Sequence, residues 1–265
     1  MRILSLNVFT KVCIESFKVN MRKKSQFITT PNSNRSQSNE LVTIVLLAEN
    51  YGYRMKSKGA LSLVEVKGKS LLEIQIQAIK AVFTNFEIIL CCGYDSKSVY
   101  EFIQKRMKNI NVRIVENQVY ENSNCCETTR IALNNTLNDK VLVMNGGLLI
   151  SASHLKAIDT EKTCILSQAN KKMEDFEVGV VENESLVQNM SLGIKERRWL
   201  DLLFLNGSDN IASFYDIISS IDFKNRFLFE AINEFIRNVQ VENVDIKTSR
   251  LCKVDSIKSL KRIET

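Results

Sequence analysis

An unbroken apolar and β-branched run, Val42 to Ala48 (VTIVLLA), ends abruptly at Glu49 and gives way to a polar turn holding Gly52, Arg54, Lys56 and Lys58. The chain then turns apolar again by Leu61 and Leu63. A run without polar alternation fits a strand buried on both faces, the kind found inside parallel sheets covered by helices. In an open α/β sheet the turn that leaves the carboxyl end of the first strand is where phosphates bind. The stretch from Val42 to Leu63 therefore fixes both the fold class to expect and the place to look for function.

With 265 residues, 45% of them hydrophobic, the chain can bury a substantial core, and one globular domain is the default expectation. No apolar run approaches the roughly 20 residues that span a bilayer, so a soluble, cytoplasmic protein without a membrane partner is expected. The net charge of +6 sits mostly in residues 1–40, where seven Lys and Arg face two Glu, leaving only +1 for the rest. A nearly neutral domain with a basic tail does not read as a nucleic-acid surface. Residues 1–40 are expected to form a flexible basic extension and linker ahead of a domain at 41–265. Organellar targeting by that extension and an over-long start preceding Met21 are two readings of it. Seven cysteines, two pairs of them adjacent, lack zinc-ligand spacing and read as buried thiols; the single histidine, His154, reads as incidental.

From Leu41 onward, strand-like and helix-like segments alternate. Ser70-Leu71-Leu72-Glu73 has the form of a capping box, and Leu72, Ile76, Ile79 and Phe83 recur at helical spacing, which predicts a helix over 70–84. Strands are predicted at 87–92, 111–115 and 140–145. Helices are predicted from Asp95 to about Met107 and over 124–136. Beyond Gly147 the pattern loosens into short strands (CILSQA, FEVGVV), read as a sheet extension. A helix over 225–238, a strand VENVDI and a last helix capped by Asp255, with Ile257, Leu260 and Ile263 inward, complete the chain.

Residues Leu47, Ala48, Gly52, Arg54 and Met55, then Ser62, Leu63, Gly68, Lys69, Leu71, Leu72 and Glu73, follow the order of an LAAGxGxRM signature and the PKxLxxxxGKxLLE segment after it. The likeness continues through Gly93-Tyr94, through Asn117, Tyr120, Asn124, Thr128 and Ala132, and through Asn145-Gly146, Glu230 to Asn233 and Val254-Asp255. On these residues the chain resembles the nucleotidyltransferases with a GT-A-like α/β fold. The nearest are phosphocholine and sugar-phosphate cytidylyltransferases, and molybdenum-cofactor guanylyltransferase is more distant. The resemblance implies a single, mostly parallel open sheet, Rossmann-like, with helices on both faces and a smaller sheet extension. It also implies transfer of a nucleotidyl group from a nucleoside triphosphate such as CTP to a phosphorylated small molecule, with pyrophosphate released and Mg2+ as cofactor. Carried over by position, Arg54 and Lys58 would act on phosphates. Leu47, Ala48, Gly52, Gly93, Asn124, Thr128, Asn145 and Gly146 would line the nucleotide site, and Asp255 would bind the metal.

The chain departs from that pattern where the chemistry is concentrated. Glu49 and Asn50 stand in place of an alanine and a glycine, adding a negative charge where phosphates approach. Leu61 replaces the phosphate-binding lysine, and Gly147 replaces the first metal aspartate. Loss of one electrostatic stabiliser costs on the order of 10²–10³ in rate. Two readings follow: a nucleotidyltransferase with a degenerate site, or a catalytically inactive pseudoenzyme serving as a binding or regulatory partner of another protein. A glycosyltransferase of similar fold ranks last, because Asp139-Lys140 and Asp209-Asn210 supply no DxD metal site. Several candidates also have plain structural readings: Asn124 and Asp255 as helix caps, Tyr94 and Tyr120 as packing aromatics, and Trp199 packed on the sheet extension.

Overall fold

The computed structural model describes residues 41–52, 55–169, 173, 176–247 and 251–264. The expected extension and linker at 1–40, and Arg54, lie outside the described residues. The strand expected first is present as β1 (Val42–Ala48), buried at every position. It lies at the centre of a parallel block, between β4 (Phe86–Cys92) and β6 (Lys140–Asn145), with β5 (Val112–Glu116) outside β4. Ile44, Leu46, Ile88, Leu90, Leu142 and Met144 point to one face and pack on α1 (Leu71–Lys80) and α2 (Ser96–Arg106). The other face carries α3 (Cys125–Leu133), which contacts β1 and β4. A face of apolar side chains on each side of the sheet explains the lack of alternation in the strand sequences.

Local signals set the helix starts. Ser70 Oγ accepts from the Glu73 amide at 3.2 Å while the Glu73 carboxylate accepts from the Ser70 amide at 2.9 Å, so α1 begins where its capping box predicts. Asp95 differs from expectation: it occupies the left-handed region (φ 53) and its side chain caps nothing, its place before α2 being that of a turn residue. The segment between β1 and α1 holds two 3-10 turns, Lys56–Lys58 and Leu61–Leu63, and a small hairpin of β2 (Glu65–Val66) and β3 (Lys69–Ser70).

Beyond β6 the architecture departs from a single, mostly parallel open sheet. A two-residue strand β7 (Leu148–Leu149) and a one-turn helix α4 (Ala152–Leu155) lead to β8 (Cys164–Ala169), β9 (Val178–Asn183), β10 (Leu186–Leu192) and the long β11 (Arg197–Asn206). β11 pairs antiparallel with β6 and continues the sheet to β8, then to β12 (Glu242–Asp245), β10 and β9. β9 pairs back onto β11 through Gly179 and Arg198, so five strands close into a ring. The sheet is mixed, and what reads as a loose extension is this ring. Gly179 is required at the closure, because a Cβ there would lie 2.1 Å from the Ile194 carbonyl oxygen. Two helices, α5 (Ser208–Ile218) and α6 (Leu228–Phe235), cover the remaining surface through Phe214 and Phe235, whose rings meet edge to face at 5.2 Å.

The chain ends with β13 (Cys252–Lys253), paired with β7, and α7 (Ile257–Glu264). Ser256, rather than Asp255, receives the Ser259 amide at 3.2 Å and caps α7. Leu260 and Ile263 face inward onto Met55, Leu61, Val64 and Val254, but Ile257 is exposed, contrary to the helical-face expectation. Among the described residues no helix is long and apolar enough to cross a membrane.

Candidate functional site

The carboxyl ends of β1, β4 and β6 converge with β13 on one edge of the sheet. Here the expected glycines are set by close approach. A Cβ on Gly146 would lie 2.7 Å from the Leu47 carbonyl oxygen, and one on Gly93 would lie 2.7 Å from the Tyr120 ring. Gly52 has φ +76, and its Cα faces the Asp255 carbonyl oxygen. Leu47 and Ala48 are buried in β1 and take part through the backbone: the Leu47 oxygen accepts from the Gly146 amide at 2.7 Å. The Asn145 side chain turns back and accepts from the Gly147 amide at 2.8 Å, and buried Gln75 donates to the Asn145 and Leu148 carbonyls at 3.0 Å each. This turn is held rigidly from both sides.

Asn124 and Thr128 lie one helical turn apart on α3. The Asn124 side chain accepts from the Cys125 amide at 2.8 Å, so it caps the helix. Thr128 is wholly buried, and its hydroxyl accepts from Asn117 at 2.9 Å. Lys58 is exposed on its 3-10 turn. Its neighbour Lys56 instead lies over the rings of Tyr51 and Tyr94, 5.7 Å from each centroid. Those two rings meet edge to face at 4.9 Å, and Tyr94 Oη donates to the Lys56 carbonyl at 3.1 Å. Trp199 packs on the sheet with its indole N–H bonded to the Leu202 carbonyl at 3.0 Å.

The two departures noted in the sequence have physical consequences. Leu61 is buried in the apolar cluster with Val254 and Leu260, so an apolar contact stands where the resemblance places a phosphate-binding lysine. At Gly147 a Cβ would lie 2.5 Å from the Val254 carbonyl oxygen, so this position admits no carboxylate without backbone movement. Asp255, the remaining expected metal ligand, accepts from Ser259 Oγ at 3.1 Å. Among the described residues no group of three or more His, Cys, Asp or Glu is placed to hold a metal ion. The donor set does not fit a carboxylate-held divalent ion.

Two residues outside the expected set dominate the electrostatics. Glu49 is buried with Oε2 lacking a hydrogen-bond partner. Burial raises its carboxyl to about 7, against the opposing pull of a backbone N–H, the Lys253 charge and the Thr128 hydroxyl. The negative charge read from the sequence is thus about halved at neutral pH and largely suppressed below it. Lys253 on β13 pairs with Asp201 of β11 at 2.8 Å. Burial alone would lower its ammonium, but the Asp201 carboxylate outweighs that and raises it. Asp201 itself sits at φ 52, within the register shift that separates Trp199 from Leu203 on β11. Cys125, beside this group, has its thiol pushed up to about 12 by burial and by Glu49, so it stays neutral and is a poor nucleophile. Lys253 and Asp201 are 52 residues apart, on strands of different sheets, so only the tertiary fold brings them together.

No known family profile matches the chain, and no curated protein matches it. Solved structures do. The CTP:phosphocholine cytidylyltransferase from Streptococcus pneumoniae superposes with a TM-score of 0.70 at 17% identity, over 84% of this chain and 97% of that one. The inositol-1-phosphate CTP transferase from T. maritima gives 0.68 at 15% identity, over 86% and 98%. A UDP-glucose pyrophosphorylase complexed with UDP-glucose gives 0.69 at 10% identity, over 84% and 97%. At such identities the likeness establishes the fold: the chain has the α/β fold of these nucleotidyltransferases, along nearly their whole length.

Proposed function

We propose that the chain is a nucleotidyltransferase-fold protein that has given up metal-assisted nucleotidyl transfer and works by binding. The observation that carries this reading is Gly147. Its Cα is closed against the Val254 backbone, so the position where the resemblance calls for a metal aspartate has neither the group nor the space for it. Leu61, built into an apolar cluster, supports the same reading. In-line displacement at an α-phosphate depends on positioning and on neutralising charge, and losing a metal ligand and a lysine together removes much of both.

The test is pyrophosphate release from CTP, UTP, GTP and ATP, each with phosphocholine or a sugar phosphate and Mg2+, run alongside calorimetric titration of the same nucleotides. No pyrophosphate above background, and no tightening of nucleotide binding by Mg2+, is the expected result. Turnover with any pair would overturn the proposal. It would favour the second reading, transfer from a nucleoside triphosphate such as CTP to a phosphorylated small molecule, which the likeness to cytidylyltransferase structures supports.

A further inference from the structure

The opposite edge of the sheet holds a second concavity. β12 runs parallel to β8, and both run against β11, as β6 and β1 do, so the amino end of β12 lies on the edge away from the candidate site. There the Val187 amide of β10 bonds the Val241 carbonyl at 2.9 Å, and Leu186 pairs with Glu242. A register shift between Val187 and Asn189 then marks a bulge, beyond which β10 and β12 pair no further among the described residues. A groove of about 600 Å³ opens between β10 and the segment that joins α6 to β12.

What lines the groove limits what it can hold. Five of its eleven lining residues are Asn or Gln, none is Asp or Glu, and the one cation, Arg237, is paired with Glu234 at 3.0 Å. Asn233 is fixed between the walls: its side chain donates to the Met190 carbonyl at 2.7 Å and accepts from the Met190 amide at 2.8 Å, tying α6 to β10. Gln188 and Asn189 stand exposed on the β10 side, Asn238 and Gln240 on the other. Gln188 reaches only the Leu186 carbonyl of its own strand, at 3.3 Å. The side chains of Asn189, Asn238 and Gln240 make no hydrogen bond among the described residues.

Each carboxamide offers donors and an acceptor with no net charge. A charged ligand would give up hydration here and gain no counter-charge, and an apolar ligand would cover the amides without bonding them. Hydroxyl groups, which both donate and accept, suit both walls at once. Half-buried Ile236 and Val239 offer apolar surface to the C–H faces of a sugar ring. The volume falls within the roughly 300–1,000 Å³ of small-molecule sites. We propose that this groove binds a short neutral oligosaccharide, with the carboxamides of β10 and of the α6–β12 segment bonding its hydroxyls. The site is separate from the candidate nucleotide site and stands whether or not the function proposed above does.

The full-length protein would be titrated calorimetrically, without nucleotide, with the neutral trisaccharides maltotriose, cellotriose and triacetylchitotriose, and with trigalacturonic acid as a charged counterpart. Saturable binding of at least one neutral trisaccharide, clearly tighter than that of trigalacturonic acid, is expected. The triple variant Asn189→Ala/Asn238→Ala/Gln240→Ala should weaken that binding about tenfold or more, the combined scale of several lost neutral hydrogen bonds. Because those side chains are exposed and bond nothing else, its melting temperature should match the parent's, which separates lost binding from lost fold. The proposal is overturned if no neutral trisaccharide binds saturably, if trigalacturonic acid binds as tightly, or if the triple variant binds like the parent.

Discussion

At the scale of single residues, Glu49 and Gly147 make opposite demands, and each can be measured. A carboxyl whose folded value is about 7 against an ordinary 4.5 stays protonated in the folded state while the unfolded chain ionises. Stability is then highest below 4.5, falls as pH rises from 4.5 to 7, and is flat above 7 with respect to this group. Glu49→Gln should therefore raise stability on the order of 3 kcal/mol at pH 8 and have little effect at pH 4, which urea denaturation at the two values would show. An equal effect at both would rule out a buried, raised carboxyl. Restoring an aspartate at 147 should do the reverse of repair. With the Val254 oxygen 2.5 Å from the new Cβ, Gly147→Asp should cost about 1–3 kcal/mol and lower the melting temperature by several degrees, without creating Mg2+-dependent nucleotide binding. A variant that kept its melting temperature and gained metal dependence would refute the close-packing argument. Glu49 was visible in the sequence as a charge in the wrong place. Its suppression was not, because burial comes from β4, β13 and α3 arriving around it.

Among the elements, α7 does two jobs. Its inner face closes the apolar cluster over Leu61 and Val254, and its outer face lines the cleft beside β11 and β13. Leu260→Ala should cost about 2–4 kcal/mol by leaving a cavity in that cluster. Urea denaturation of the variant beside the parent checks this, and an unchanged midpoint would refute the inward packing of α7. Local signals made some elements legible and hid others. The strand at 140–145 and the segment CILSQA stand where the sequence puts them, and α1 starts at its capping box. β11 was hidden because its apolar run, RRWLDLLFLN, breaks at Asp201, where the register shifts and the strand changes partners. α5 went unread although Ile211, Phe214 and Ile218 recur at helical spacing after Gly207, a signal that was available. The Lys253–Asp201 pair could not have been read at all, since no local pattern links two residues on separate strands.

Across the whole molecule, β11 is the seam. It pairs with β8 along one edge and, along the other, with β6 over residues 202–206 and with β9 at Arg198, so the parallel block and the ring share one backbone. Phe204, wholly buried in β11 opposite Leu142 and Cys164, sits in the core common to both. Phe204→Ala should cost about 3–5 kcal/mol, and unfolding should remain one transition by fluorescence and circular dichroism alike. Two separated transitions would mean that block and ring are independent units. The same seam sets a timetable during synthesis. β1, β4 and β6 can pair once residue 145 has left the ribosome, but the outer edge of β6 has no partner until β11 emerges about sixty residues later. The ring has to wait longer still, for β12. At about 5–20 residues per second, the nascent chain carries an open apolar strand for several seconds, and that interval, rather than any feature of the finished fold, is when it most needs a chaperone.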